Sequence, residues 1–452
     1  MNQGLTIVPP PVVGEALRRL EARGFQAWCV GGCVRDSLLG KAPFDWDIAT
    51  SALPQETKAC FAGERLVEAG AAHGTIAWVP SGGHPIEITT FRSDGAYTDG
   101  RHPDSVAFSR RLEDDLSRRD FTVNAMAWHP QRGLVDLFHG QEDLSAGLLR
   151  CVGEPARRFS EDALRILRCL RFSSQLGFAI HPDTAQALWE KRELLLALSH
   201  ERVREELTKL LCGQGAAAVL RQYAAVVFTV LPELAPMKGC AQETPYHCFD
   251  VWEHTLHAVD YAPQQGDLRW AALLHDAGKP GRKTRSADGV AHFYGHPPES
   301  GRIARQLLTR LRFSNKERDW IAALVDHHED AMPMGEAHLK GLLGRYGERF
   351  VFTLFQLQEA DMSAKAPGVF ARRLPDLEES RALARAILER GDCLTLGDMA
   401  LTGEDLKALG VAPGPEMGKL LRRLLEAVQR GEAANTPAAL GELAKRLLKR
   451  GL

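Results

Sequence analysis

Asp45 and Asp47, in the string Asp45-Trp46-Asp47-Ile48, are a pair of carboxylates whose spacing suggests chemistry. Side chains two residues apart on a strand share a face, so both carboxylates can meet the same pair of hard cations, of which Mg²⁺ is the expected one. Two such ions would activate an attacking hydroxyl and neutralise a leaving pyrophosphate. Upstream, the strand-like Cys29 and Val30 run into Gly31 and Gly32, followed by Arg35. A glycine pair after a strand lets backbone N–H groups approach a triphosphate, and the arginine adds a charge-assisted contact. Taken singly, each also describes a solvated edge or a plain turn; glycines and aspartates in this order point to a bound nucleotide.

A second constellation is rich in imidazole. Eight of the sixteen histidines fall between His247 and His328, a density that core packing does not need. His254, the adjacent His275 and Asp276, His296, His327 and Asp361 are the candidate ligands of one or two divalent transition ions (Mn²⁺, Ni²⁺ or Co²⁺) that activate water. His247, His257, His292 and His328 are given supporting or incidental places.

Residues 1–150 mix β-like runs (QAWCV, TIAWVP, IEITTF) with glycine turns and a helical stretch over 12–23. Beyond Glu154 nearly every segment repeats apolar residues at three- and four-residue spacing, as in EDALRILRCLRF and ERVREELTKLLC. The expected class is α+β: a mixed sheet with helices, then an all-helical remainder. Pro- and Gly-rich breaks at 231–239, 365–375 and 410–416 mark candidate boundaries. A hydrophobic fraction of 44% and a charged fraction of 25% fit a globular protein, and no apolar run is long enough to span a bilayer. The N-terminus lacks a basic-then-apolar leader and the nine cysteines form no CxxC pair, so the expectation is a cytoplasmic protein with reduced thiols and no membrane. A net charge of −2 excludes a global electrostatic attraction to polyanions, leaving local arginine clusters and the basic stretch 419–450 for RNA.

The longer string GGCVRDSLLGKAPFDWDIATSALPQET resembles the first motif of class II tRNA nucleotidyltransferases, the CCA-adding enzymes of the polymerase β superfamily, and SRRDFTVNAMAW (117–128) resembles their second. The resemblance implies a polymerase-β-like head, tRNA as partner, CTP and ATP as substrates, and Arg119 and its neighbours on the nucleotide's sugar and phosphates. Glu87 occupies a place where the superfamily can carry a third acid; it reads equally as an ordinary strand carboxylate. In RFSEDALRILRCLRF (158–172), Asp162 and Arg165 form EDxxR one turn apart, which is also the spacing of a common intrahelical ion pair. Near a nucleotide, a carboxylate acceptor and an arginine donor suit cytosine and adenine, each with an amine beside an unprotonated ring nitrogen, and oppose uracil and guanine. In the family the matching residues are that template, with Glu161 in support; Arg168 and Arg171, rotated away, are expected to meet phosphates. ERVREELTKLL (201–211) resembles the motif that holds the template helix.

The loop at 90–108 accompanies ATP addition in this family, and its presence favours full CCA or A-only addition. The histidine set resembles the HD phosphohydrolase signature, implying phosphodiesterase or phosphatase action. The expected organisation is a head (1–150), a neck bearing the template (151–215), an HD body (216–368) and a tRNA-contacting tail (369–452); no protein partner is implied. The alternatives are an A-adding or poly(A) polymerase, and a phosphohydrolase whose head only binds RNA.

Overall fold

Val13, Ala16, Leu17 and Leu20 recur at helical spacing and are the buried face of α1 (Pro11–Glu21), which leads into strand β1 (Ala27–Val30). The computed structural model describes residues 7–94 and 106–449. The rest of the head follows as α2 (Gly32–Leu38), β2 (Asp47–Thr50), α3 (Pro54–Cys60), β3 (Leu66–Val67), β4 (Thr75–Trp78) and β5 (Ile86–Thr90). Next come the paired β6 (Arg92–Asp94) and β7 (Val106–Phe108), then α4 (Leu112–Ser117), β8 (Met126–His129) and β9 (Gly133–Asp136). Seven strands form one sheet in the order β3-β4-β5-β2-β1-β8-β9, with β2 and β5 parallel and the other neighbours antiparallel. The expected mixed sheet is therefore present. One face buries Trp28, Val30, Ala49 and Ala127 beneath Leu112 and Leu116 of α4. The expected strand runs are β1, β4 and β5; the loop at 90–108 falls largely outside the described residues.

After α5 (Gly140–Ala146) and β10 (Leu148–Leu149) the chain turns helical: α6 (Pro155–Glu161), α7 (Leu164–Leu176), the short β11 (Ala179–Ile180), α8 (Pro182–Glu190), α9 (His200–Leu211), α10 (Ala216–Gln222) and α11 (Ala224–Val230). The EDxxR segment is not one continuous helix. Asp162 is extended (φ −142°, ψ 106°) between α6 and α7, and its carboxylate accepts from the Leu164 backbone N–H at 3.0 Å, which restarts the helix beyond the break. Helix α9 packs along α7.

Residues Met1–Val230 form one compact unit and Leu231–Leu452 a second, the division falling in the Pro-rich stretch at 231–239. The second unit is almost wholly helical: α12 (Val251–Tyr261), α13 (Gly266–Leu274), α14 (Lys279–Arg282), the hairpin β12 (Thr284–Arg285) and β13 (Ala291–His292), α15 (His296–Arg310), α16 (Asn315–His327), α17 (Glu336–Tyr346), α18 (Glu348–Ser363), α19 (Val369–Glu389), α20 (Gly403–Ala408), α21 (Pro415–Gln429) and α22 (Pro437–Lys449). Among the described residues no helix is long and apolar enough to cross a membrane.

Candidate active site and a candidate metal centre

Strand register gathers the acids of the first unit. Asp47 opens β2, opposite Val30 at the end of β1 and beside Glu87 on the parallel β5; Asp45 lies two residues before it, outside the strand on which the spacing placed both. Burial, then the charges of Glu87 and Asp45, push the Asp47 carboxyl up to about 6, although Arg119 opposes them. Crowded hard oxygen donors are the chemistry of a Mg²⁺ site. Glu87, left open between catalytic and ordinary, belongs to this acidic group by register.

The glycine turn is constrained twice. Gly31 has φ 77°, a conformation that favours glycine, and a Cβ there would come within 2.9 Å of Arg119 Nη1 and displace that guanidinium. Gly32 then begins α2. Behind the turn runs a polar relay: Arg35 Nη1 donates to Asn124 Oδ1 (2.7 Å), Asn124 Nδ2 to Asp120 Oδ1 (3.1 Å), and Arg168 Nε to Asp120 Oδ2 (2.8 Å). It ties the first motif, the second motif and α7 together. Arg119 reaches Asp115 at 3.0 Å. The guanidinium groups of Arg35, Arg168 and Arg171 all lie against the Phe172 ring.

Asp120 is the keystone of the relay. Burial pushes its carboxyl up, but the Arg168 charge and hydrogen bonds from Asn124, Arg168 and the Phe121 backbone bring it down to about 2. A carboxyl held below its ordinary 3.8 stabilises the fold fully above that value and loses the contribution as pH falls toward 2. We therefore expect acid titration of the chain to show a term of about 2 kcal/mol in this window. Asp120→Asn should remove this contribution and, by unpairing the half-buried Arg168, lower stability at pH 7 by about 2 kcal/mol, measured by urea unfolding across pH.

In the EDxxR segment, Arg165 donates to Glu161 Oε2 (2.8 Å), the Arg158 carbonyl (3.1 Å) and the Arg118 carbonyl (2.9 Å), so Glu161 and Arg165 are in direct contact. Asp162 is instead engaged by Arg202 of α9, at 3.3 and 3.4 Å. Arg168 and Arg171, for which phosphates were expected, meet carboxylates: Asp120 and, at 3.2 Å, Glu206 of α9. Arg202 and Glu206 were missed in the sequence; their one-turn spacing on α9 was the available signal.

In the second unit the imidazoles of His254, His275, His296 and His328 converge. Each Nδ1 faces a backbone carbonyl, those of Ala364 (3.1 Å), Ala272 (2.8 Å), Phe293 (3.0 Å) and Val325 (2.7 Å), which leaves each Nε2 as the inward lone pair. Asp276 lies among them, buried, 3.2 Å from His275 and His296 and 3.4 Å from His254. Asp361 stands 2.9 Å from His254. Two ligand triads share Asp276: His254, His275 and Asp276, and Asp276, His296 and His328. This corrects the expected set at one position. His327 turns away to hydrogen-bond Asp330 (2.8 Å), and its neighbour His328 enters the cluster. Lys279 and Lys365 pair with Asp276 and Asp361 at 2.7 and 2.8 Å, two further residues that sequence reasoning passed over.

A mixed sheet presenting paired aspartates beside a glycine turn, followed by a helical arm, defines a nucleotidyltransferase. Residues 27–150 match the family model described as the Poly A polymerase head domain, and 299–444 match tRNA nucleotidyltransferase domain 2. The chain is 35% identical to the CCA-adding enzyme of Lactobacillus delbrueckii subsp. bulgaricus over 94% of this chain and 95% of that one, and 36% identical to that of Limosilactobacillus fermentum over 96% of each. The structure of the Bacillus stearothermophilus CCA-adding enzyme in complex with CTP superposes with a TM-score of 0.75 at 31% identity, covering 98% of this chain and 99% of that one. The chain belongs to the CCA-adding enzymes, a family of tRNA nucleotidyltransferases.

Proposed function

We propose that the chain completes tRNA 3′ ends with CCA, drawing on CTP and ATP and releasing pyrophosphate. The observation that carries this reading is the carboxylate group beside the glycine turn, with the relay Arg35–Asn124–Asp120–Arg168 joining that turn to α7, the helix that also carries Arg165. Asp45 and Asp47 would hold Mg²⁺, which when bound lowers the cost of the developing alkoxide and pyrophosphate charge. The backbone at Gly32 together with Arg35 and Arg119 binds phosphates and sugar, and Arg168 and Arg171 set the positive field behind them. Asp162 accepts from the exocyclic amine of C or A while Arg165, aimed by Glu161, donates to the ring nitrogen. The tRNA 3′ oxygen then bonds to the α-phosphorus as the bond to the β-phosphate oxygen breaks. Residues 1–150 catalyse, 151–215 read the base, 216–368 carry the second centre and 369–452 contact tRNA phosphates.

The experiment is incubation of the purified chain with Mg²⁺, CTP, ATP and a tRNA transcript lacking its 3′ CCA, followed by sequencing of the ends. Ordered CCA is expected; A alone or an A tail would assign the A-adding alternative, and no extension would overturn the reading.

The histidine cluster supports a second activity, hydrolysis of a phosphate ester by an HD-type centre. Four Nε2 lone pairs around a buried carboxylate suit transition ions of the Mn²⁺, Ni²⁺ or Co²⁺ type, which when bound lower the proton affinity of water. His254, His275, Asp276, His296, His328 and Asp361 would be the ligands. A cavity of about 610 Å³, lined by His328, Asp361, Lys365 and Arg372, opens beside them. We expect His328→Ala to cost most of the bound metal, read by elemental analysis of dialysed protein, and His327→Ala to retain it; equal retention in both would remove His328 from the site.

A further inference from the structure

Phe44 immediately precedes Asp45, and its side chain is 83% exposed. A large apolar ring left in water contributes almost nothing to the fold. Single exposed apolar residues are common on protein surfaces, but this one is neither alone nor far from the chemistry. His84 stands against it, with ring centroids 5.9 Å apart and the planes tilted by 49°. The pairing follows from strand register. Asp47 of β2 lies beside Glu87 of the parallel β5, and Phe44 and His84 each come three residues ahead of that pair, on the two segments that feed these strands. Three residues of chain reach at most about 11 Å, which keeps the rings close to the acids.

The order of the sheet decides which partner meets them. On one side of β2 lie β1, which ends at the turn of Gly31 and Gly32, and then β8, with Asn124 just ahead of it. Arg35, Arg119 and the relay to α7 belong to that side, where the phosphates and base of the incoming nucleotide are assigned. On the other side of β2 lies β5, with Glu87 on it and His84 before it. In an in-line displacement the attacking hydroxyl approaches opposite the leaving pyrophosphate, so the acceptor end comes in from the β5 side. The terminal base of that end changes as the reaction proceeds. It is first whichever base precedes CCA, and then cytosine, so hydrogen bonds to one base edge cannot hold it at every step. A ring can, because every base presents a π-face for stacking.

We propose that Phe44, backed by His84, is the platform on which the terminal base of the tRNA acceptor end stacks, setting its 3′ hydroxyl beside Asp45, Asp47 and Glu87. It rests on the reading of the chain as an enzyme that adds CCA. Phe44→Ala should raise KM for tRNA lacking CCA about tenfold, while KM for CTP stays within twofold of wild type. Phe44→Trp should keep the wild-type KM for tRNA, and Phe44→Leu, apolar but without a ring, should behave as the Ala variant. Because the side chain is exposed, thermal unfolding of all three should match wild type. A second readout does not depend on turnover: tRNA whose terminal base is 2-aminopurine, lacking its 3′ hydroxyl so that it cannot be extended, is bound with Mg²⁺ and CTP. Its fluorescence should be quenched by the wild type and the Trp variant, and much less by the Ala and Leu variants. A KM for tRNA within twofold of wild type in Phe44→Ala or Phe44→Leu, or quenching that survives both substitutions, would overturn the proposal. An equal rise in KM for CTP would also overturn it, by placing the ring against the incoming nucleotide. Failure of the wild-type chain to add CCA to the same tRNA would instead remove the reading beneath it, so the two failures are told apart.

Discussion

Asp47→Asn is expected to abolish nucleotide transfer while making the metal-free chain more stable. The loss follows from the site: one of two carboxylates that would hold the cations becomes a neutral amide, forfeiting several kcal/mol of charge stabilisation in the transition state, or roughly a 10³-fold fall in kcat. The gain follows from the same crowding. Burial and the neighbouring acids hold the Asp47 carboxyl at about 6, above the ordinary 3.8. A carboxyl raised on folding binds its proton more tightly in the native chain, so stability falls as pH rises from about 4 through about 6 and stays lower above. Asparagine carries no such penalty, and we expect about 1–2 kcal/mol of added stability at pH 7 without metal. Mg²⁺ should stabilise the wild type and leave the variant unchanged. Below pH 6 the proton competes with the cation, so the apparent Mg²⁺ affinity of the wild type should weaken by about tenfold per pH unit. Calorimetry with and without Mg²⁺, beside single-turnover extension of tRNA, checks these outcomes; a variant that is both inactive and destabilised would mean that Asp47 is structural.

The second large effect is at the template. Asp162→Ala removes the acceptor for the exocyclic amine, and Arg165→Ala removes the ring-nitrogen donor and its brace to Glu161. Each bidentate base contact is worth about 1–3 kcal/mol of discrimination. Each variant should therefore incorporate CTP and ATP more slowly and UTP and GTP more readily, narrowing the kcat/KM ratio by about 10- to 100-fold. The double variant should lose little beyond the worse single one, because the two side chains read one base edge as a unit. Single-nucleotide incorporation with each NTP measures this. A uniform fall for all four nucleotides would place Asp162 and Arg165 in the fold rather than in base selection.

The parts of the site that were legible in the sequence are those whose chain spacing is also their spatial spacing. Asp47 opens β2 with Asp45 two residues before it, just outside the strand rather than on it as the spacing suggested, and Gly31 sits at the turn feeding α2. The break at Asp162 was hidden because apolar periodicity runs through it from Phe159 to Leu170, while the interruption is a cap made by one side chain on Leu164. Arg202 and Glu206 act across helices, and no local pattern names the partner of a charge on another helix. The exchange of His327 for His328 was decidable: Ile321, Leu324, Val325 and His328 recur at helical spacing and are all buried, a phase that turns His327 outward.

The most direct measurement is one reaction containing the wild-type chain, Mg²⁺, all four nucleoside triphosphates at equal concentration and a tRNA ending before its CCA, with every extended end sequenced. Ends that read C, C, A are expected, with U and G excluded because the proposed template, Asp162 and Arg165, accepts only bases with an amine beside a bare ring nitrogen. Uridine or guanosine incorporated at rates comparable to cytidine would contradict it.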